Sequence, residues 1–381
     1  METRQYWLDA IEKLWRTRRN IIWLMGVRRV GKTCLCQLLS EVEYFDCELP
    51  RVRQQMEDPE EFLEGLKGKR VVIDEIHRLA DPSELLKIAA DHFRSIKIIA
   101  TGSSTLGASA KFRDTLAGRK SELWLTPMIH EDLRSFGKDD LPHRLLRGGL
   151  PPFFLQKKLP EKDFQEWIDA YWAKDIQELF RLERRQSFQR FAELLFVQSG
   201  GMFEANRFAA PCGVSRTTIS NYLSILEATF VVHIIRPFST RRAVEIVAAP
   251  KVYAFDTGFV CYFKGWSQLR SDDMGLLWEH FVLNELHGRL QNRQIMYWRD
   301  KRRHEIDFVI ERRGKPPIAI ECKWKADGFN GKNLAAFRNQ YNKGDNFVVA
   351  SDVSRAFSRK HMELKVNFLS LDELVTRLGG K

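Results

Sequence analysis

The chain has 381 residues, 44% of them hydrophobic and 12% aromatic, with 61 Lys and Arg against 50 Asp and Glu. That length exceeds what one core usually serves, so two or three packed domains are expected and a disordered chain is excluded. The formal net charge of +11 favours a polyanionic partner such as nucleic acid. No apolar run reaches the roughly twenty residues that span a bilayer, and residues 1–19 lack the apolar core of a signal peptide, so a cytoplasmic protein without membrane partners is expected.

Six cysteines, at 34, 36, 47, 212, 261 and 322, form no CxxC pair and no metal-ligand spacing, and are expected to be buried, reduced thiols. The apolar run 21–25 leads into Gly26-Val27-Arg28-Arg29-Val30-Gly31-Lys32-Thr33, a phosphate-binding turn between a strand and a helix. The glycines let backbone N–H groups close around phosphate oxygens, so Gly26 to Cys34 form the expected cradle for ATP. Lys32 supplies positive charge to the β and γ phosphates and Thr33 places its hydroxyl on Mg²⁺. Leu35, Leu38 and Leu39 predict an apolar stripe on the following helix, whose positive dipole end faces the phosphates.

Apolar segments at 42–45, 71–73, 96–100 and 123–125 alternate with helical stretches at 59–66 and 83–93, the pattern of a parallel α/β sheet with ligands at the carboxyl ends of its strands. Val71-Val72-Ile73 closes on Asp74 and Glu75. Asp74 is the expected Mg²⁺ partner and Glu75 the residue that orients the attacking water. Together the two motifs look like Walker A and Walker B. The next strand ends in Thr101-Gly102-Ser103-Ser104, where Ser103 is read as a nucleotide sensor, with a plain polar turn as the alternative. Arg113 and Arg119 follow, and Arg119 is the preferred arginine finger for a neighbouring subunit.

Candidate joints are Gly148-Gly149-Leu150-Pro151-Pro152, Ser199-Gly200-Gly201 and the polar stretch 267–273. Beyond the second joint, helices over 206–212 and 216–227 flank the tight turn Gly213-Val214-Ser215, a helix-turn-helix pattern. Ser215 is the expected N-cap, with Ile219, Tyr222, Leu223 and Leu226 facing inward. Arg216, Thr217, Ser220 and Asn221 face outward, side-chain types that contact phosphates and base edges of DNA. A hairpin over 230–235 and 244–247 completes a winged helix with Arg241 and Arg242 on its wing. Such domains also serve as protein contacts or as lids over nucleotide sites.

The last third carries Asp307, then Glu321 and Lys323 on a second expected strand. Alternation puts Glu321 and Lys323 on one face, so that two carboxylates hold Mg²⁺ while the ammonium orients a hydroxide. This is the Asp…Glu-x-Lys pattern of PD-(D/E)XK nucleases, and Glu279 on a preceding helix fits its usual acidic companion.

Taken in order, these motifs, with Pro250-Lys251-Val252-Tyr253 and Asp256-Thr257-Gly258 between them, resemble prokaryotic AAA-type ATPases that end in a restriction-endonuclease-like domain. The resemblance covers nearly the whole chain. It implies an α/β protein with an AAA-type P-loop domain over 1–155, a helical linker over 156–187, a winged helix over 188–262 and a nuclease-like α/β domain over 263–381. It also implies assembly into a ring or other multimer. Ser103 departs from the Asn or Thr common at the sensor position. The function expected is a Mg²⁺-dependent ATPase acting on DNA, with cleavage by Asp307, Glu321 and Lys323 as an added activity. The alternative is an ATP-switched binding or assembly protein whose terminal domain is inert.

Overall fold

The structure, a computed structural model, describes residues 3–102, 110–158, 161–177, 184–239, 249–291, 295–312 and 314–379. Ser103, Arg241, Arg242 and the expected strand at 244–247 lie outside the described residues. The chain forms two compact units: Met1–Asp140 with Leu150–Glu183 and Ala228–Phe230, and Leu141–Gly149 with Arg184–Glu227 and Val231–Lys381. Among the described residues no helix is long and apolar enough to cross a membrane.

The first unit is built on five parallel strands, β1 (Ile21–Met25), β2 (Val42–Asp46), β3 (Arg70–Asp74), β4 (Lys97–Thr101) and β5 (Lys120–Trp124), in the order β2-β3-β4-β1-β5. β1 is buried at every residue and β3 and β4 at all but the first. A parallel sheet covered on both faces requires such continuous apolar runs. Helices Pro59–Glu64 and Pro82–His92 begin alike: Pro fills the first turn, where no N–H is needed, and Asp58 or Asp81 accepts two backbone N–H bonds. The helix after the phosphate loop is shorter than its leucine spacing predicts. It spans only Lys32–Gln37 and buries Leu35, while Leu38 and Leu39 lie beyond its end, half-buried. What the loop presents at this helix start is therefore a single turn of N–H groups, more than the dipole of a long helix.

In the second unit, helices Ala205–Cys212 and Arg216–Ala228 flank the expected tight turn, with Gly213 in the left-handed region and Ser215 Oγ accepting from Thr218 N at 3.1 Å. Ile219, Tyr222, Leu223 and Leu226 are buried. Strands β6 (Gly201–Met202), β7 (Val232–Pro237) and β8 (Lys251–Ala254) pair antiparallel in the order β6-β8-β7. The sheet does not stop there. β7 also pairs in parallel with β9 (Ile295–Arg299), and β10 (Glu305–Arg312), β11 (Lys315–Lys323), β12 (Asn346–Ala350), β13 (Phe357–His361) and β14 (Leu364–Leu369) extend it, among the described residues, to nine strands, β13-β14-β12-β11-β10-β9-β7-β8-β6. Residues 188–262 and 263–381, expected as separate domains, thus share one mixed sheet. The polar stretch at 267–273, expected as a joint, contains the start of helix Ser271–Leu290. This helix is buried on most sides, and its Trp278 Nε1 donates to Val349 O at 3.0 Å.

A buried knot closes this unit. Asp256 accepts from Gly149 N at 2.6 Å and Gly258 N at 2.9 Å, with Arg144 Nη1 at 3.5 Å, and Arg144 also donates to Thr257 Oγ1 at 3.0 Å. Gly148 has φ +83°, and a Cβ there would fall inside the Asp256 carboxylate. Gly148→Ala is therefore expected to destabilise the second unit by on the order of 3 kcal/mol, from backbone strain plus the displaced carboxylate. Denaturant unfolding curves identical to those of the parent would contradict this.

Candidate functional site

The candidate nucleotide site lies where β1, β3 and β4 end. Gly26 turns the chain out of β1 at φ +149°, in a place where any Cβ would strike Leu125 O. The half-buried Lys32 folds back over the loop, donating to Gly26 O at 2.8 Å and Val27 O at 3.2 Å. Burial lowers its pKa, opposed by the charges of Glu75, Asp175 and Asp74. Arg4, buried just ahead of the helix Gln5–Trp15, braces the loop from behind. It donates to Val30 O at 3.0 Å and Thr126 O at 2.9 Å and pairs with the buried Asp132 at 2.6 Å.

Asp74, the last residue of β3, is 3% exposed. It accepts from Thr33 Oγ1 at 2.8 Å, from the Tyr44 hydroxyl of β2 and from the Thr101 hydroxyl of β4. The register explains Tyr44: it lies opposite Val72, so it shares a face with Asp74 two residues on. Glu75 lies past the strand end, in the left-handed region at φ +52°, with its N–H held by Thr101 Oγ1 at 3.2 Å and its Oε2 3.1 Å from His77 Nδ1. Burial opposes its charge, yet the His77 hydrogen bond and the Lys32 charge hold its pKa below the ordinary value. A cavity of about 360 Å³ opens here, lined among others by Lys32, Thr33, Glu75, Arg28 and Asp175. All its lining residues belong to the first unit. The oxygen-only set of Thr33 and Asp74 suits a hard cation such as Mg²⁺ bound with phosphates.

Of the residues expected here, the structure gathers Gly26 to Cys34, Asp74 and Glu75. Sequence reasoning missed Tyr44, His77, Arg4 and Asp175. It cited Thr101 only as part of a turn, yet Thr101 is the hydroxyl on Asp74. Arg119 lies elsewhere. It precedes β5 at the amino edge of the parallel sheet, gripping Asp91 at 2.8 and 3.1 Å, whereas the phosphate loop is at the carboxyl edge. Cys34 is exposed and the other five cysteines are buried, all as free thiols.

In the second unit, antiparallel pairing of β10 and β11 sets Phe308 opposite Ile320, which brings Asp307 and Glu321 to one face. Lys323 Nζ is 2.7 Å from Glu321 Oε2 and 3.8 Å from Asp307 Oδ2, and Cys322 N donates to Asp307 Oδ2 at 2.7 Å. Glu321 Oε1 is buried without a hydrogen-bond partner. Glu279, expected as a third metal ligand, accepts at its Oε1 from Lys251 Nζ at 3.1 Å and from the Tyr253 hydroxyl. Lys251 also holds Glu305 at 2.8 Å. A buried cation therefore already neutralises Glu279. Among the described residues no group of three or more His, Cys, Asp or Glu is arranged to hold a metal, whereas Mg²⁺ needs only one or two carboxylates and keeps its waters. On the helix Arg216–Ala228, Arg216, Thr217, Ser220 and Asn221 are exposed, as their spacing predicts.

Residues 18–133 match a family model described as an AAA domain. The first unit has the fold of an AAA-type P-loop ATPase. Residues 138–270 and 274–369 match two further models, each described as a domain of unknown function, DUF8612 and DUF4143. Rv2008c of Mycobacterium tuberculosis and Mb2031c of Mycobacterium bovis are each 29% identical to this chain over 322 residues, 81% of this chain and 72% of theirs. Among solved structures, the Walker-type ATPase paby2304 of Pyrococcus abyssi aligns with 69% of this chain and 96% of its own at 15% identity and a TM-score of 0.45.

Burial first, and then the Asp307 charge, push the Glu321 carboxyl up to about 8, with Lys323 opposing. Unfolded, the same carboxyl titrates near 4.5. Between those values the folded chain holds the extra proton, so this group makes stability fall as pH rises through that window. Glu321→Gln should flatten that fall in unfolding experiments at pH 5 and pH 8 with a chelator present. Parallel pH profiles for parent and variant would contradict the assignment.

Proposed function

We propose that this protein is a Mg²⁺-dependent ATPase that acts on DNA. The observation that carries the reading is the contact of Thr33 with Asp74 beside Glu75, with Lys32 lining the same cavity. With Mg-ATP bound there, Thr33 and Asp74 would hold the metal, Lys32 would neutralise the β and γ phosphates, and Glu75 would orient a water for attack on the γ phosphorus. The bond from that phosphorus to the bridging oxygen would break and the water's proton would pass to solvent as ADP and phosphate form. Ser103 is proposed as sensor, with Thr101 supporting Asp74 and Glu75 next to it. Arg119, being remote from its own cavity, is proposed to act as a finger only on a neighbouring copy in a multimer.

DNA enters through the second unit. Its order of helix, short strand, two helices and two strands supports reading it as a winged helix, and Arg216, Thr217, Ser220 and Asn221 are the proposed contacts, with Arg241 and Arg242 on the proposed wing. The net charge of +11 supports a phosphate backbone as partner. Asp307 and Glu321 would hold a single Mg²⁺ there, with Lys323 positioned to orient a hydroxide, in a nuclease-like fold. The unpartnered Glu321 Oε1 favours this reading. A second reading, an inert module for DNA binding or assembly, draws support from Lys251, whose buried charge occupies the acidic companion Glu279.

Glu75→Gln is expected to retain ATP binding and to lose turnover by on the order of a hundredfold or more. Unchanged phosphate release, with or without duplex DNA, would remove Glu75 from its role. For the terminal site, Lys323→Ala should abolish Mg²⁺-dependent nicking of supercoiled DNA. Equal nicking by parent and variant would refute cleavage by this cluster, and no nicking by the parent would favour the inert module.

A further inference from the structure

A carboxylate belonging to the protein itself stands in the nucleotide cavity. Asp175 Oδ2 is 2.9 Å from Arg28 Nε, and both residues line the cavity beside Lys32 and Glu75. Asp175 sits in a π-helical stretch, Tyr171–Gln177, a form that favours functional positions because its wider turn re-aims side chains. The stretch is firmly held. Trp167 Nε1 donates to the carbonyl of Arg28 at 2.9 Å, the Trp167 and Tyr171 rings stack at 5.3 Å, and the Tyr171 hydroxyl is 2.6 Å from Thr229 Oγ1. Asp175 is 8% exposed, so water screens its charge poorly. Its charge is felt at Lys32, the group that receives the terminal phosphates.

Given this arrangement, we infer that Arg28 and Asp175 form a specificity pair that distinguishes a nucleoside triphosphate from a diphosphate. This rests on the nucleotide reading above and adds to it. Arg28 has two anionic suitors, the Asp175 carboxylate and the phosphate chain. A diphosphate leaves Arg28 with Asp175. A triphosphate, longer and more highly charged, draws the guanidinium away and leaves the carboxylate facing the added charge. Part of the binding energy of the third phosphate is spent on breaking the pair. The expected loop contribution of Arg28 was its backbone; its side chain, paired with Asp175, adds this second part.

The test is calorimetric titration of the full chain with Mg-ADP and with the Mg²⁺ complex of the β,γ-imido analogue of ATP. Asp175→Asn keeps the shape and removes the charge. It should tighten the triphosphate analogue about tenfold, the scale that one unit charge roughly 10 Å away gives at an effective dielectric near 20, and ADP less than about threefold. Arg28→Gln should loosen the triphosphate more than the diphosphate, and the double variant should recover part of that loss. The double variant carries neither charge, so it also serves if Asp175→Asn does not fold. Equal shifts for both nucleotides, no shift, or looser triphosphate binding by Asp175→Asn would overturn the pair while leaving the ATP site standing. A parent chain that binds neither nucleotide would overturn the ATP site and the pair together.

Discussion

The buried carboxylate of Asp74 is the constraint on which the nucleotide site depends. An ionised group out of water must be met by hydrogen-bond donors, and stripping them away costs about 3–5 kcal/mol. Here the donors come from separate elements: Thr33 after the phosphate loop, Tyr44 on β2, Thr101 on β4 and the N–H of Glu75. They reach one carboxylate because the parallel order β2-β3-β4-β1 lines up the carboxyl ends of those strands. The sheet topology is thus what brings four distant stretches of sequence to one carboxylate. Glu75, one residue on, leaves the strand in the left-handed region and so points away from the hub toward the cavity.

The second unit handles charge differently. Lysine and arginine ordinarily keep their charge in solvent, yet Lys251 is buried among Glu279, Glu305 and the Tyr253 ring, and Arg144 is buried against Asp256. Burial works against the Lys251 charge, but Glu279, Tyr253 and Glu305 raise its pKa above the ordinary lysine value. Such pairs add little net stability and are destructive when half of one is removed. They do fix geometry: Lys251 orients two carboxylates along one side of the sheet, and Asp256 pins Gly149 and Gly258 through their backbone N–H groups.

Much of this was legible in the sequence where local chemistry decides structure. The parallel strands announced themselves as apolar runs, the phosphate loop by its glycines, and the helix Arg216–Ala228 by Ser215 and the spacing of Ile219, Tyr222, Leu223 and Leu226. Asp307, Glu321 and Lys323 could be brought together because alternation along a strand is a strict rule. What stayed hidden depends on long-range placement. Nothing local marks Tyr44 as a partner of a residue thirty positions away, or Asp175 as a neighbour of Arg28. The length of the helix after the phosphate loop was overestimated because Leu38 and Leu39 continue the apolar spacing beyond the point where the helix ends. The continuous nine-stranded sheet escaped notice because the β7 to β9 pairing joins segments separated by a long helix.

Calorimetric titration of the full parent chain with ATP, first in Mg²⁺ and then in a chelator, tests the central claim most directly. A corner built from Thr33 and Asp74 predicts one saturable site per chain in Mg²⁺ and a clear loss of affinity when the metal is withheld. Absence of binding at millimolar ATP, or the same affinity with and without metal, would contradict it.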